Sequence, residues 1–559
     1  MIASMLVLAA ACTKEAQDTA DLARPDLVCP GDQGCSDADG PLMAGASAVE
    51  ITPSCFESWE DLSGDKRWSA TKDAYFDCGC DRLCPEDEGY PGPDEGEGDG
   101  EFIAMWMGGF SQAHPAQGVH DPLWARTLVL ERGETRVAVV SVDLVGFFNE
   151  DVDKVRAMLD EQELDIDYLL VSATHNHEGP DTMGLWGKAF GKSGYQEFYL
   201  EQVRAGIVSS IQQAVLELEE VGEIRVGSVA AADYHSDGIA NVIRDTRDPV
   251  VIPQEVGSLW LQDQSGETIA TVVHWGCHPE TLADDNLLLS SDFADSLRNT
   301  VERGSEWDAY QTEGLGGVAI YLQGMVGGMM TTLRMDVETP DGENLGDAGY
   351  PKTEAIGTLL GEMAIDAARN GEVVDLDSAL SVRASDVKIP VVNDAFQALF
   401  LIGTLPRELY DYDADEPVTD ENQPRVLTEV SLIQLGPLSL ATVPGELLPE
   451  AALGGYDGSL IGSELYSLIQ EGNENPPDLA GAPEAPYLID AVPGSQRWIV
   501  GLGNDEIGYI IPAYNFELNA DLPYLDEAPG HHYEETNSLG PETEPILNEA
   551  LHELLEWSP

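Results

Sequence analysis

Tyr168-Leu169-Leu170-Val171-Ser172-Ala173-Thr174-His175-Asn176-His177-Glu178-Gly179-Pro180 reads as a buried strand running out into a loop that Gly-Pro terminates. Two histidines spaced i, i+2 at a strand end face one side together. Neutral imidazole is the commonest metal ligand, and two of them converging on one cavity suggest zinc. A second pair, His274 and His278, follows another apolar run, Ile269-Ala270-Thr271-Val272-Val273. The chain holds only 10 histidines, so four at two strand ends stand out. The plain alternative is polar residues that cap strand ends.

Outward from these strands the pattern alternates. Arg126 to Glu131, Arg136 to Val142 and Tyr168 to Ser172 read as strands, as do Glu223 to Ala231, Val256 to Leu261 and Thr268 to Val273. Asp151 to Asp160, Gln196 to Leu218, Ser291 to Arg303 and Thr353 to Asn370 read as helices. This predicts an α/β fold, a large mixed β-sheet core with flanking helices and long loops, with no linker after residue 45 to demand a second domain. Ala46 to Pro53 reads as its first strand.

The 559 residues carry 102 acidic against 27 basic side chains, a formal charge of −75. Such a surface repels nucleic acid and anionic headgroups, so no nucleic-acid partner is expected. The apolar run Met5 to Ala11 before Cys12 is too short to span a bilayer permanently and resembles a bacterial lipoprotein signal. The expectation is a signal peptide over 1–11 and a flexible tether over 12–45, lipidated at Cys12 and holding the domain at the cell envelope. Plain secretion is the alternative.

Six further cysteines fall between 29 and 84, a density typical of disulfides in an oxidising compartment. Cys29 with Cys35 would close a small loop. The pairing of Cys55, Cys78, Cys80 and Cys84 is open, and a zinc cluster is the alternative to two bridges. Cys277 reads as a buried free thiol. The Cys-rich acidic insertion at 54–100 ends in Pro93 to Gly100, where carboxylates between glycines suit either a solvated loop or a structural calcium or magnesium ion.

Four more segments stand at strand ends: Asn241 to Asp245, Tyr321 to Met330, Leu440 to Glu446 and Gly501 to Tyr509. With His175-Asn176-His177-Glu178-Gly179-Pro180, the fourteen-residue step from His278 to Asp292, Val443-Pro444-Gly445-Glu446, the loop Asn504 to Tyr509 and the early loop Gly118 to Arg126, the chain resembles the neutral/alkaline non-lysosomal ceramidase family in its catalytic N-terminal domain. The resemblance implies a single zinc-hydrolase-type catalytic domain over 46–559, with one zinc held by His175, His278, Glu446 and Tyr509. It also implies His177 beside the metal as proton-transfer or oxyanion partner, and Arg244 lining the substrate cleft. Two imidazoles and a carboxylate leave zinc net positive, enough to acidify water to a pKa of about 7. His274 is expected to be core.

The sequence departs from the family twice. Ceramide-cleaving members carry Gly-Asp-Val-Ser-Pro where this chain has Gly324-Met325-Val326-Gly327-Gly328, so glycine stands in place of an implicated serine. Fifty residues follow Tyr509, too few for the family's C-terminal immunoglobulin-like domain. The expected function is zinc-dependent hydrolysis of a linear amide in a ceramide-like N-acyl lipid or related small molecule. The rivals are a metallo-esterase on the same site and an inactive zinc- or ligand-binding surface lipoprotein. The oligomeric state is open.

Overall fold

Apolar β-formers recur at alternate positions in the long strands, and both faces of those strands are buried in different cores. In Trp124–Arg132, Leu128 and Leu130 face one cluster while Ala125 and Val129 face another. That double burial requires cover on both sides. The computed structural model describes residues 24–32, 39–419 and 421–558.

The larger sheet has nine strands, in the order Val318–Gln323, Thr268–Trp275, Glu255–Asp263, Glu219–Ala230, Leu42–Glu50, Trp124–Arg132, Thr135–Val142 and Tyr168–Ala173, with Glu372–Val373 also paired to Glu219–Ala230. Its two parallel pairs are Thr135–Val142 with Tyr168–Ala173 and Thr268–Trp275 with Val318–Gln323. The second sheet runs Leu27–Cys29, Leu380–Pro390, Arg425–Leu435, Leu438–Thr442 and Gln496–Val500. One core lies between the sheets, joining Leu170, Val226 and Val272 to Val382, Ile433 and Trp498. Helices Asn149–Glu161 and Glu197–Leu216 cover part of the outer face of the large sheet, and Phe293–Arg303 and Tyr350–Asn370 cover the rest. Asp394–Leu401 and Thr543–Glu556 cover the second sheet. The result is four layers, helix, sheet, sheet, helix.

The large sheet curls so that its two ends meet. Arg126 Nη1 donates to Ala319 O at 2.9 Å, Ser141 Oγ to Tyr321 O at 2.5 Å and Gln323 Nε2 to Thr174 O at 2.7 Å. The loops after Tyr168–Ala173 and Thr268–Trp275 are thereby brought onto one rim.

Three expectations are refined or corrected. The mixed α/β fold is present, but the core has two sheets, because the apolar strands beyond 380 need their own partners. Part of the stretch expected as tether is sheet: Leu27–Cys29 pairs with Leu380–Pro390, and Leu42–Glu50 with Trp124–Arg132. Leu42 and Ala44 are buried there, which an extended tether would not achieve. In the insertion Cys55 pairs with Cys80 and Cys78 with Cys84, so those four sulfurs are disulfides and form no zinc cluster. Cys277 is free and buried. Met1 to Ala11, Cys12 and Cys35 lie outside the described residues. Among the described residues no helix is long and apolar enough to cross a membrane.

Candidate metal centre

Five strand ends converge on one rim. His175 and His278 follow Tyr168–Ala173 and Thr268–Trp275, Gln323 ends Val318–Gln323, and Glu446 and Tyr509 follow Leu438–Thr442 and Gln496–Val500. A short parallel ladder pairs Glu446 with Tyr509 and Leu447 with Ile510. Gln323 ties the histidine loops together: Nε2 donates to Thr174 O at 2.7 Å and Cys277 O at 2.8 Å, while Oε1 accepts from Cys277 N at 3.1 Å. Asn504, at φ 59°, clamps the strand that leads into the first loop, accepting from Val171 N and donating to Leu169 O. His175 itself sits at φ 63°, a left-handed conformation uncommon outside glycine, which its surroundings fix.

The rings have defined tautomers. His175 Nδ1 donates to Val145 O at 2.7 Å and His278 Nδ1 to Met330 O at 2.8 Å. A carbonyl only accepts, so each Nδ1 carries the proton and each neutral ring offers a bare Nε2. Both Nε2 atoms face the same carboxylate oxygen: Glu446 Oε2 lies 3.4 Å from His175 Nε2 and 3.2 Å from His278 Nε2. Three acceptors aimed at one another need a cation between them. The Tyr509 hydroxyl is 3.4 Å from His278 Nε2 and donates to Met329 Sδ at 3.2 Å. The residues therefore fit a divalent ion.

His177 stands beside this centre, near enough to be a ligand itself. Its ligand nitrogen and those of His175 and His278 all lie within 4.8 Å of one another, the one such group of three or more among the described residues. The carboxylates at 93–100 make no such group; Glu97 accepts from the Tyr90 hydroxyl and Asp94 from Asp81 N. His177 Nδ1 is buried without a hydrogen bond, and Glu280 Oε2 is 3.5 Å away. Gly109, at φ 107°, packs flat against this ring, and any Cβ there would collide with it.

Burial pushes the His177 pKa well down, so this ring too is held neutral. Burial alone would raise the Glu446 carboxyl; protons on His175 and His278, standing where a cation would, outweigh burial and hold the carboxyl well below its ordinary value. Burial and the Glu446 charge push the Tyr509 phenol and the Glu506 carboxyl well up.

The centre forms the floor of a cleft. Phe148, Met183, Leu185, Trp186, Phe396, Phe400, Leu405 and Leu539 line its walls, with Arg407, Glu506, Tyr533 and Asn537 as polar members. Arg244 is not among them. Its strand, Arg244–Asp245, pairs with Met330–Thr331, and the residue lines a separate open depression with Arg334 and Tyr466, where its Nη1 donates to Arg334 O. The expectation that Arg244 lines the substrate cleft is thus corrected. His274 is core as expected: it stacks on Trp498 with 4° between ring planes and donates from Nε2 to Ile499 O. Asp292 is no ligand either; it caps helix Phe293–Arg303 and accepts from Thr281 Oγ1 and Leu282 N, bracing the His278 loop.

Sequence reasoning missed Glu280, Glu506, Gln323 and Arg407. The first three lie inside or beside quoted segments, but nothing in their spacing tells which carboxylates and amides point inward. Gly327 has a structural cause. Its N–H donates to Leu447 O at 3.0 Å, and any Cβ would strike the Leu447 and Leu448 backbone, so the strand bearing Glu446 occupies the space a serine would need.

Residues 96–340 match the family model described as neutral/alkaline non-lysosomal ceramidase, N-terminal. No curated protein matches the chain. Among solved structures, the neutral ceramidase from Pseudomonas aeruginosa is 17% identical, with a TM-score of 0.57 over 92% of this chain and 74% of that one. A ceramidase complexed with C2 matches at 17% identity and a TM-score of 0.57, covering 92% of this chain and 75% of its own. Through residues 96–340 the chain thus carries the sequence pattern of the neutral/alkaline non-lysosomal ceramidase N-terminal domain, on the fold of the neutral ceramidases.

Proposed function

We propose that the chain is a metal-dependent hydrolase of a linear amide bond in an N-acyl lipid of the ceramide kind, with zinc as the ion. The observation that carries this reading is the convergence of two bare imidazole nitrogens and one carboxylate oxygen at the floor of an apolar cleft. His175, His278 and Glu446 would hold the ion, with Tyr509 as fourth ligand. A nitrogen-rich donor set with one carboxylate suits zinc better than calcium or magnesium, which prefer oxygen. The ion, when bound, supplies Lewis-acid polarisation of a carbonyl and acidification of water.

The chain's own residues do the rest. The Phe148, Trp186, Phe396 and Phe400 walls take an acyl chain and exclude water. His177, with Glu280 behind its Nδ1, is placed to carry a proton to the departing amine. The ceramidase family match and the ceramidase structures support an amide substrate. Export to the cell envelope with a lipid on Cys12 is part of the same proposal, and the two disulfides support an oxidising compartment.

The test is metal content first, then hydrolysis of a short-chain N-acyl amide panel, with esters alongside, with and without chelator. Amide cleavage that disappears with chelator and returns with zinc is the expected result. Less than about half an equivalent of metal per chain after gentle purification overturns the reading, because two imidazoles and a carboxylate bind zinc tightly. Full metal loading without any turnover favours a silent binding protein, the reading that Gly327 in place of serine supports.

A further inference from the structure

Two segments wall one side of the cleft, and their outer faces differ from the rest of this acidic chain. Residues 182–196 and 395–407 contain no Asp or Glu, although 102 of 559 residues are acidic. Thr404 Oγ1 donates to Gly191 O at 3.1 Å, and Gly184 packs on the Thr404 carbonyl, so the two segments abut. Inward they supply Leu185, Trp186, Phe396 and Phe400 to the cleft. Outward they expose Phe190 at 71%, Ile402 at 67% and Leu401 at 47%. Lys188 and Lys192, two of the chain's eight lysines, flank Phe190 on the Ala189–Lys192 bridge, and neither ammonium has an ion pair among the described residues.

We infer that this rim is the surface by which the protein docks on a phospholipid bilayer. An apolar trio beside unpaired ammonium groups is what a bilayer surface recognises: the side chains insert among acyl chains while the lysines meet headgroup phosphates. The net charge of −75 opposes approach to anionic lipid at long range, but at physiological salt the Debye length is about 8 Å, so the local island governs contact. Its place also explains access, because a lipid leaving the bilayer at Phe190 and Ile402 passes directly to the Trp186 and Phe400 walls. The inference rests on the proposed reading of the cleft as an N-acyl lipid site.

The test is co-sedimentation of the full chain, prepared without a lipid on Cys12, with phosphatidylcholine vesicles, with and without phosphatidylglycerol. Wild type is expected to bind both, and Phe190→Ser with Ile402→Ser to lose about tenfold in affinity. Lys188→Gln with Lys192→Gln should remove only the increment that phosphatidylglycerol adds, and salt should remove it too. Circular dichroism and turnover of a soluble short-chain amide should stay at wild-type levels in both pairs. Failure of wild type to bind either vesicle overturns the inference, as does unchanged binding by the serine pair. A wild-type dimer that the serine pair converts to monomer also overturns it, since the face would then join two copies. Vesicle binding needs no turnover, so binding without hydrolysis would sink the proposed activity while leaving the docking surface standing.

Discussion

At the scale of single residues, the proposed centre separates metal holding by His175, His278 and Glu446 from proton transfer by His177. His278→Ala or Glu446→Ala removes one of three converging acceptors and should empty the site, read as metal per chain by elemental analysis. His177→Ala should keep the metal and lower kcat by about 10²–10⁴-fold, the range of a lost general acid or base. Loss of metal in His177→Ala would make the three-imidazole group the true ligand set, which its mutual distances of 4.8 Å or less permit. Gly327→Ser tests the departure from the family. The added Cβ meets backbone at Leu447 and Leu448, so restoring serine should lower stability by about 1–3 kcal/mol and add no activity. Thermal melting and turnover measured on one preparation decide it.

At the scale of elements, the site depends on how two loops are braced. Gln323 ends one strand and bonds both histidine loops through buried backbone groups. Gln323→Leu keeps the bulk and leaves Thr174 O, Cys277 O and Cys277 N unsatisfied, at about 1–3 kcal/mol each where no rearrangement helps. Denaturant unfolding should show a loss of at least about 3 kcal/mol, and zinc affinity should fall about 10–100-fold as it does when outer supports of ligands are removed. A second brace is Asp143, which accepts both Arg298 Nη1 and Nη2, at 2.8 and 2.9 Å, beneath the same loops. Both groups are buried, so removing either one leaves an uncompensated charge. The sequence made the bearing strands legible by their apolar runs, yet Gln323 and Asp143 look like ordinary polar residues at strand ends. Their importance lies in partners 149 and 155 residues away, which no local pattern encodes.

At the scale of the whole molecule, charge sets the response to solvent. Self-repulsion at −75 is screened by salt, so the melting temperature should rise from low salt toward about 1 M sodium chloride. Burial raises several carboxyls: Asp292, Glu450 and Glu544 to about 7, and Asp121 to about 6. An unfolded carboxyl titrates near 4, so between about 4 and 7 the native state holds protons that the unfolded chain releases. Stability therefore falls as pH rises through that window, and metal-free protein should melt higher at pH 6 than at pH 8. Glu544→Gln should flatten the slope, which distinguishes a buried carboxyl from general repulsion; an unchanged slope would refute that assignment.

By itself the sequence determined the α/β alternation, the long strands and helices between about 126 and 370, and the motifs His175 to Pro180, Val443 to Glu446 and Asn504 to Tyr509, because apolar period and turn chemistry are local. Only the tertiary structure decided that there are two sheets, that the large one curls until its ends meet, that Leu27–Cys29 is a strand and the first strand of the large sheet begins at Leu42, and that Arg244 faces another depression. It also decided that Glu280 and Glu506 stand at the centre. The reason is one of range. Period-2 burial is written in neighbouring residues, whereas the meeting of side chains from positions 175, 278, 446 and 509 depends on the closure of the sheets that carry them.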